Sequence, residues 1–116
     1  MLYHKAHDEK WTALGIAPAD DEMKRIVKPP TTAATLNFVA CAAQASRLWK
    51  DIDSDFADKC LEAAEKSYEA AKKHPDMYAP LDESIGGGAY GDTDVDDVFY
   101  WAACELYLTT RDDKYY

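Results

Sequence analysis

Small and apolar residues crowd several faces of the stretch between Thr32 and Lys50. Ala33, Ala34, Ala40, Ala42, Ala43 and Ala45 supply close-approach surfaces, and Leu36, Val39 and Leu48 supply bulk. This density predicts a helix over about 32–50 that is crowded by neighbours at short interaxial distance. Pro29-Pro30 precedes it, and Thr31 or Thr32 can accept a hydrogen bond from the orphan amides of the first turn. A second helix is predicted over about 54–74, ending before Pro75. Phe56, Cys60, Ala64, Tyr68 and Ala71 form one stripe at i, i+4 and i+7 spacing, and Asp58, Glu62, Glu65, Lys66, Glu69 and Lys73 charge the opposite face. The third helix, about 94–110, contains VFYWAACELYL, apolar almost all round with Glu105 as its lone charge. Such a helix is buried on most sides, and two companions cannot enclose it, so self-association or a larger partner surface is expected.

The remaining stretches lack a sustained period. Residues 1–30 read as a long ordered loop with a turn at 15–18 and a short helical turn near Asp21–Arg25. Residues 75–93 read as a loop carrying Pro75, Pro80 and Gly86-Gly87-Gly88, and Asp112 to Tyr116 as the start of a further helix. The fold class is therefore all-α. An alternation of buried, amphipathic and buried helices suits a double-layered helical arrangement.

Length and charge narrow the functional classes. A chain of 116 residues holds one domain at most. Thirteen basic against 22 acidic residues leave a net charge of −9, which repels phosphate backbones, so nucleic acid is not an expected partner. No apolar run is long enough to span a bilayer. The opening MLYHKAHDEK has no hydrophobic stretch of the kind a signal peptide requires. Cys41, Cys60 and Cys104 are too widely spaced for a paired-cysteine zinc site and are expected as buried, reduced thiols.

Four groups of residues invite a chemical reading. Asp92, Asp94, Asp96 and Asp97 alternate as in a calcium loop, but the sixth position, Asp97, should be Gly and the twelfth, Ala103, should be Glu, so an EF-hand is excluded. Capping by Thr93 or Asp94, with Asp96 and Asp97 complementing the positive helix end, is the plainer account. His4, His7, Asp8 and Glu9 offer metal-ligand chemistry without a helix to align it, and a solvated loop is the better expectation. The Gly triplet permits close backbone approach, but no Lys-Ser or Lys-Thr follows, so it is not a phosphate loop. Glu105 is expected to be a paired structural carboxylate.

Three runs, KPPTTAATLNFVACAAQASRLWK, FADKCLEAAEKSYEAAKKHP and GGGAYGDTDVDDVFYWAACELYLTTRDDKYY, resemble consecutive segments of bacterial glycoside hydrolase family 9 endoglucanases, and LYHKAHDEKW resembles the stretch before them. The resemblance implies a segment of an (α/α)6 barrel that hydrolyses β-1,4-glucan with inversion, from a secreted parent enzyme. The family's Asp-Ala-Gly-Asp base segment is absent, as is its C-terminal acid. Inversion needs both carboxyl groups, so this segment is expected to supply scaffold and cleft wall without catalytic acids. The resemblance also places Tyr90 and Trp11 as candidate sugar contacts, with core or loop packing as the alternative for each; Trp101 is expected in the core. It offers the carbonyls of Thr93 and Asp94 and the carboxylate of Asp97 to calcium, but Val98 stands where a Glu is expected, so calcium binding is expected to be weak. A stand-alone helical binding or assembly module derived from that barrel is the alternative function.

Overall fold

The computed structural model describes residues 1–80, 86–88 and 91–116. Three helices dominate: α1 (Thr32–Trp49), α2 (Ser54–Lys73) and α3 (Asp96–Thr110). Thr31 Oγ1 accepts from the Ala34 amide at 3.2 Å to cap α1, and Asp53 accepts from Phe56 at 3.0 Å to cap α2. The third helix begins two residues later than expected. Val95 takes the cap position without a side-chain bond, while the Asp94 carboxylate accepts from the Asp96 amide at 2.8 Å. Arg111, at φ +60, ends α3 in the left-handed region.

α1 packs against both other helices, whereas α2 and α3 scarcely touch. The core follows from that arrangement. Leu36, Val39, Ala42 and Ala43 of α1 meet Ala64 and Ala71 of α2 and Ala102 and Leu106 of α3. Tyr68 and Tyr115 close one end, their rings 5.6 Å apart and edge to face. Within the α2 stripe Ala64 and Ala71 are buried, Cys60 and Tyr68 are half-buried, and Phe56 leans edge-on against Trp49 at 5.3 Å.

Residues 1–30 are the expected loop only over 9–24, and no helical turn forms near Asp21–Arg25. Short strands β1 (Leu2–Tyr3) and β2 (Ala6–Asp8) pair antiparallel with β4 (Pro30–Thr31) and β3 (Arg25–Val27) respectively. The bonds from His4 N to Pro29 O, Lys28 N to Lys5 O and Glu9 N to Lys24 O fill the gaps and extend the ladder. Strands of two or three residues are too short to show alternation. Where the start of a further helix is expected, Asp113–Tyr115 form a single 3-10 turn.

The burial expected of Cys41, Cys60, Cys104 and Trp101 is not found. Cys41 is exposed and Cys60 and Cys104 are half-buried. Cys41 lies with Asn37, Gln44 and Leu48 on a face of α1 that nothing here covers. Trp101, expected in the core, is 40% exposed on the outer side of α3, and Tyr100 beside it is 74% exposed.

Candidate functional site

The N-terminal ladder and the glycine turn meet at one place. Lys5 Nζ donates to the Gly87 carbonyl at 2.9 Å and also to the Gly88 carbonyl. A Cβ built on Gly86 would fall 2.9 Å from the backbone of Lys10, and one on Gly87 would fall 2.7 Å from His7 Cγ. Gly86 and Gly88 also have positive φ, +88 and +68. The close approach expected of the triplet is therefore made, and β2 with the residues just after it forms the opposing surface.

The histidines sit within this ladder rather than in a solvated loop. His7 Nδ1 lies 2.6 Å from the Asp8 carbonyl, which can only accept, so Nδ1 carries the proton. His7 Nε2 is buried without a hydrogen-bond partner among the described residues. His4 Nδ1 lies 3.2 Å from Thr31 Oγ1. The Asp8 carboxylate pairs with Arg25, which also reaches Asp21 at 3.4 Å. Thr12 Oγ1 sits 2.9 Å from Asp8 and 3.1 Å from Asp21, so these groups tie the base of the loop between β2 and β3. Among the described residues no group of three His, Cys, Asp or Glu side chains could hold a metal.

Trp11 leaves the end of this ladder with 70% of its surface exposed, so it is not a core anchor. Tyr90 lies outside the described residues. Thr93, Asp94 and Asp97 are all exposed at the start of α3. One oxygen of Asp94 is taken by the Asp96 amide, and one of Asp97 by the Val98 amide at 2.9 Å. These carboxylates serve the local backbone, and Val98 adds none. The residues present therefore supply too few free oxygens for a complete hard-cation site, which needs six to eight converging on one point.

Glu105 has the structural partner expected of it. Arg47 Nη2 donates to Glu105 Oε2 at 2.6 Å, and Arg47 Nη1 donates to the Glu105 carbonyl at 3.0 Å and to Thr109 Oγ1 at 2.7 Å. On α2 and in the turn at Asp113–Tyr115, burial pushes the Tyr68 and Tyr115 hydroxyls above the ordinary tyrosine range. Tyr115 donates to Glu65 at 3.0 Å. Neither cluster contains two free carboxyl groups facing an open cleft.

The family model "Glycosyl hydrolase family 9" matches residues 1–116. The chain belongs to that family. A cellulose 1,4-beta-cellobiosidase of Acetivibrio thermocellus is 56% identical, over 99% of this chain and 13% of its own length. Endoglucanase C of Cellulomonas fimi is 52% identical, over 99% of this chain and 10% of its own length. The solved family 9 endoglucanase J30 superimposes with a TM-score of 0.89 at 32% identity, covering 98% of this chain and 21% of that one. A triple mutant of J30 is described as Zn-binding, so metal binding has been seen in a family 9 protein. The chain thus spans about a tenth of the length of these curated relatives, and its three helices are a segment of an (α/α)6 barrel.

Proposed function

We propose that this chain is the part of a secreted endo-β-1,4-glucanase that builds scaffold and cleft wall while the catalytic acids lie elsewhere in the barrel. One observation carries the reading: identity of 52–56% to cellulose-active relatives runs along 99% of the chain, yet no Asp-Ala-Gly-Asp segment occurs in it. Inverting hydrolysis requires a base to activate water on one face of the sugar and an acid on the other. Polymeric glucan does not cross a membrane, so the parent enzyme acts outside the cell. Trp11, whose exposed aromatic face suits the apolar face of a pyranose ring, and Tyr90, two residues beyond Gly88 in the sequence, are the sugar contacts of this wall.

The test is reducing-sugar release from carboxymethylcellulose by the purified 116-residue chain, prepared free of host cellulase. No release above the buffer control is expected. Sustained release would overturn the division between wall and chemistry.

A further inference from the structure

One face of α3 is symmetric about Cys104. Tyr100 and Leu108 stand four residues before and after it, Trp101 and Tyr107 three, and Asp97 and Arg111 seven. Spacings of three, four and seven keep all of them on the same side of a helix. That side is open: Tyr100 is 74%, Trp101 40% and Leu108 45% exposed, and Asp97 and Arg111 are exposed too. Cys104 and Tyr107 are half-buried. The Arg111 guanidinium lies 6.0 Å from the centre of the Tyr107 ring, so it stays on this side although Arg111 is past the last helical turn.

We propose that this face is the two-fold interface of a homodimer of the 116-residue chain, with two α3 helices packed antiparallel and the axis at Cys104. A two-fold axis sets each residue against the one equally far from the axis in the other copy. Tyr100 then meets Leu108 of the second copy, Trp101 meets its Tyr107, and Asp97 meets its Arg111. Apolar groups fall in the middle and opposite charges at both rims, the usual division of an interface. Parallel packing would instead set Asp97 against Asp97 and Arg111 against Arg111. The area also suffices. The chain exposes 7856 Å², whereas a compact monomer of 13.0 kDa exposes about 6,300 Å². The difference, about 1,500 Å², is nearly double the roughly 800 Å² that each partner of a standard-size interface buries. In the longer relatives further helices of the barrel are available to this face; for the 116 residues alone the complementary surface is their own.

Two measurements on the full chain test the interface. In the first, Cys41→Ser with Cys60→Ser leaves Cys104 as the lone thiol. Helices about 8–10 Å apart bring facing Cα atoms to about 5 Å at the axis, within disulfide reach. Diamide, which takes up the two thiol hydrogens as the S–S bond forms, is expected to convert most of this chain to a covalent dimer. The control, Cys60→Ser with Cys104→Ser, keeps the more exposed Cys41 and is expected to cross-link several-fold less. Equal or greater yield from Cys41 would overturn the interface. In the second, sedimentation equilibrium gives the dimer Kd. Arg111→Asp sets like charges at both rims and is expected to weaken the dimer about tenfold. Adding Asp97→Arg restores opposite charges and is expected to recover most of that loss. An unchanged Kd in Arg111→Asp, or no recovery in the doubly substituted chain, removes the antiparallel pairing. An unsubstituted chain that stays monomeric at tens of micromolar removes the dimer and leaves the face to further helices. Should Arg111→Asp lose its helical circular dichroism, the ratio of cross-linking yields alone decides.

Discussion

Val98 occupies the first turn of α3 immediately after Asp97, where a carboxylate would lie beside the exposed oxygens of Thr93, Asp94 and Asp97. A neutral, branched side chain there offers a cation nothing, and the two nearby aspartates already spend an oxygen each on backbone amides. Calcium affinity rises with the count of charged oxygen ligands. Calorimetry is therefore expected to show weak or no calcium binding by the unsubstituted chain. Val98→Glu should tighten binding by about tenfold, close to 1.4 kcal/mol. Tight binding by the original chain, or no gain on substitution, would remove Thr93, Asp94 and Asp97 from consideration as ligands. The residue scale also shows what a linear reading misses. Thr32 is the first residue of α1, and its hydroxyl donates to the His74 carbonyl at 2.6 Å and accepts from the Met77 amide at 3.0 Å. It pins the start of α1 to the end of α2, a partnership with no local signature.

Between elements, the joint of α1 and α3 depends on a single charged arrangement. Arg47 satisfies the Glu105 carboxylate, whose side chain is only 12% exposed, and binds Thr109 one turn further on. Removing one partner of a buried pair leaves the other desolvated and unpaired, which costs more than the pair contributes. Arg47→Met should therefore destabilise the chain by about 2–3 kcal/mol, since bonds to charged groups are the stronger class and the site is only partly buried. Urea unfolding followed by circular dichroism would show this as a lower midpoint at unchanged slope. Replacing Glu105 by Leu in the same background should recover part of the loss; if Arg47→Met alone leaves the midpoint unmoved, the pair is incidental. At this scale the sequence is legible where periodicity is long. The helices expected at 32–50, 54–74 and 94–110 appear at Thr32–Trp49, Ser54–Lys73 and Asp96–Thr110. It is not legible where pairing is long-range. The Leu2–Asp8 and Arg25–Thr31 ladder has no alternation long enough to notice, and the Lys5 contact depends on a turn more than 80 residues away. Trp11 and the start of α3 could be singled out through the family resemblance, whereas Lys5, Thr12 and Arg25 carried no local signal.

At the scale of the whole molecule, the chain is a slab of 47 × 35 × 17 Å, and a helix with its side chains is already about 10–12 Å across. Its radius of gyration, 16.6 Å, exceeds the roughly 13 Å of a compact domain of this length. A slab this thin cannot cover both sides of its middle layer. α3 accordingly buries only Ala102 and Leu106 fully, and leaves Tyr100, Trp101 and Leu108 at 74%, 40% and 45% exposure. Beside them runs a groove of about 740 Å³ lined by Tyr68, Phe99, Tyr107, Leu108 and Tyr116 among others. Burying a large apolar side chain is worth about 1.5–3 kcal/mol relative to exposure. Leaving several wet forgoes a sum comparable with a small domain's entire stability, about 5–15 kcal/mol. A contiguous apolar face of this kind marks an association surface. For the isolated chain the cover at hand is a second copy, packed face to face or exchanging α3. Sedimentation equilibrium at micromolar concentration is expected to return a dimer or larger species. Tyr100→Glu with Leu108→Lys, both on the exposed side of α3, should shift it toward monomer while the helical circular dichroism persists. A clean monomer with a cooperative melt in the unsubstituted chain would mean that the slab is self-sufficient and that its apolar face needs no cover.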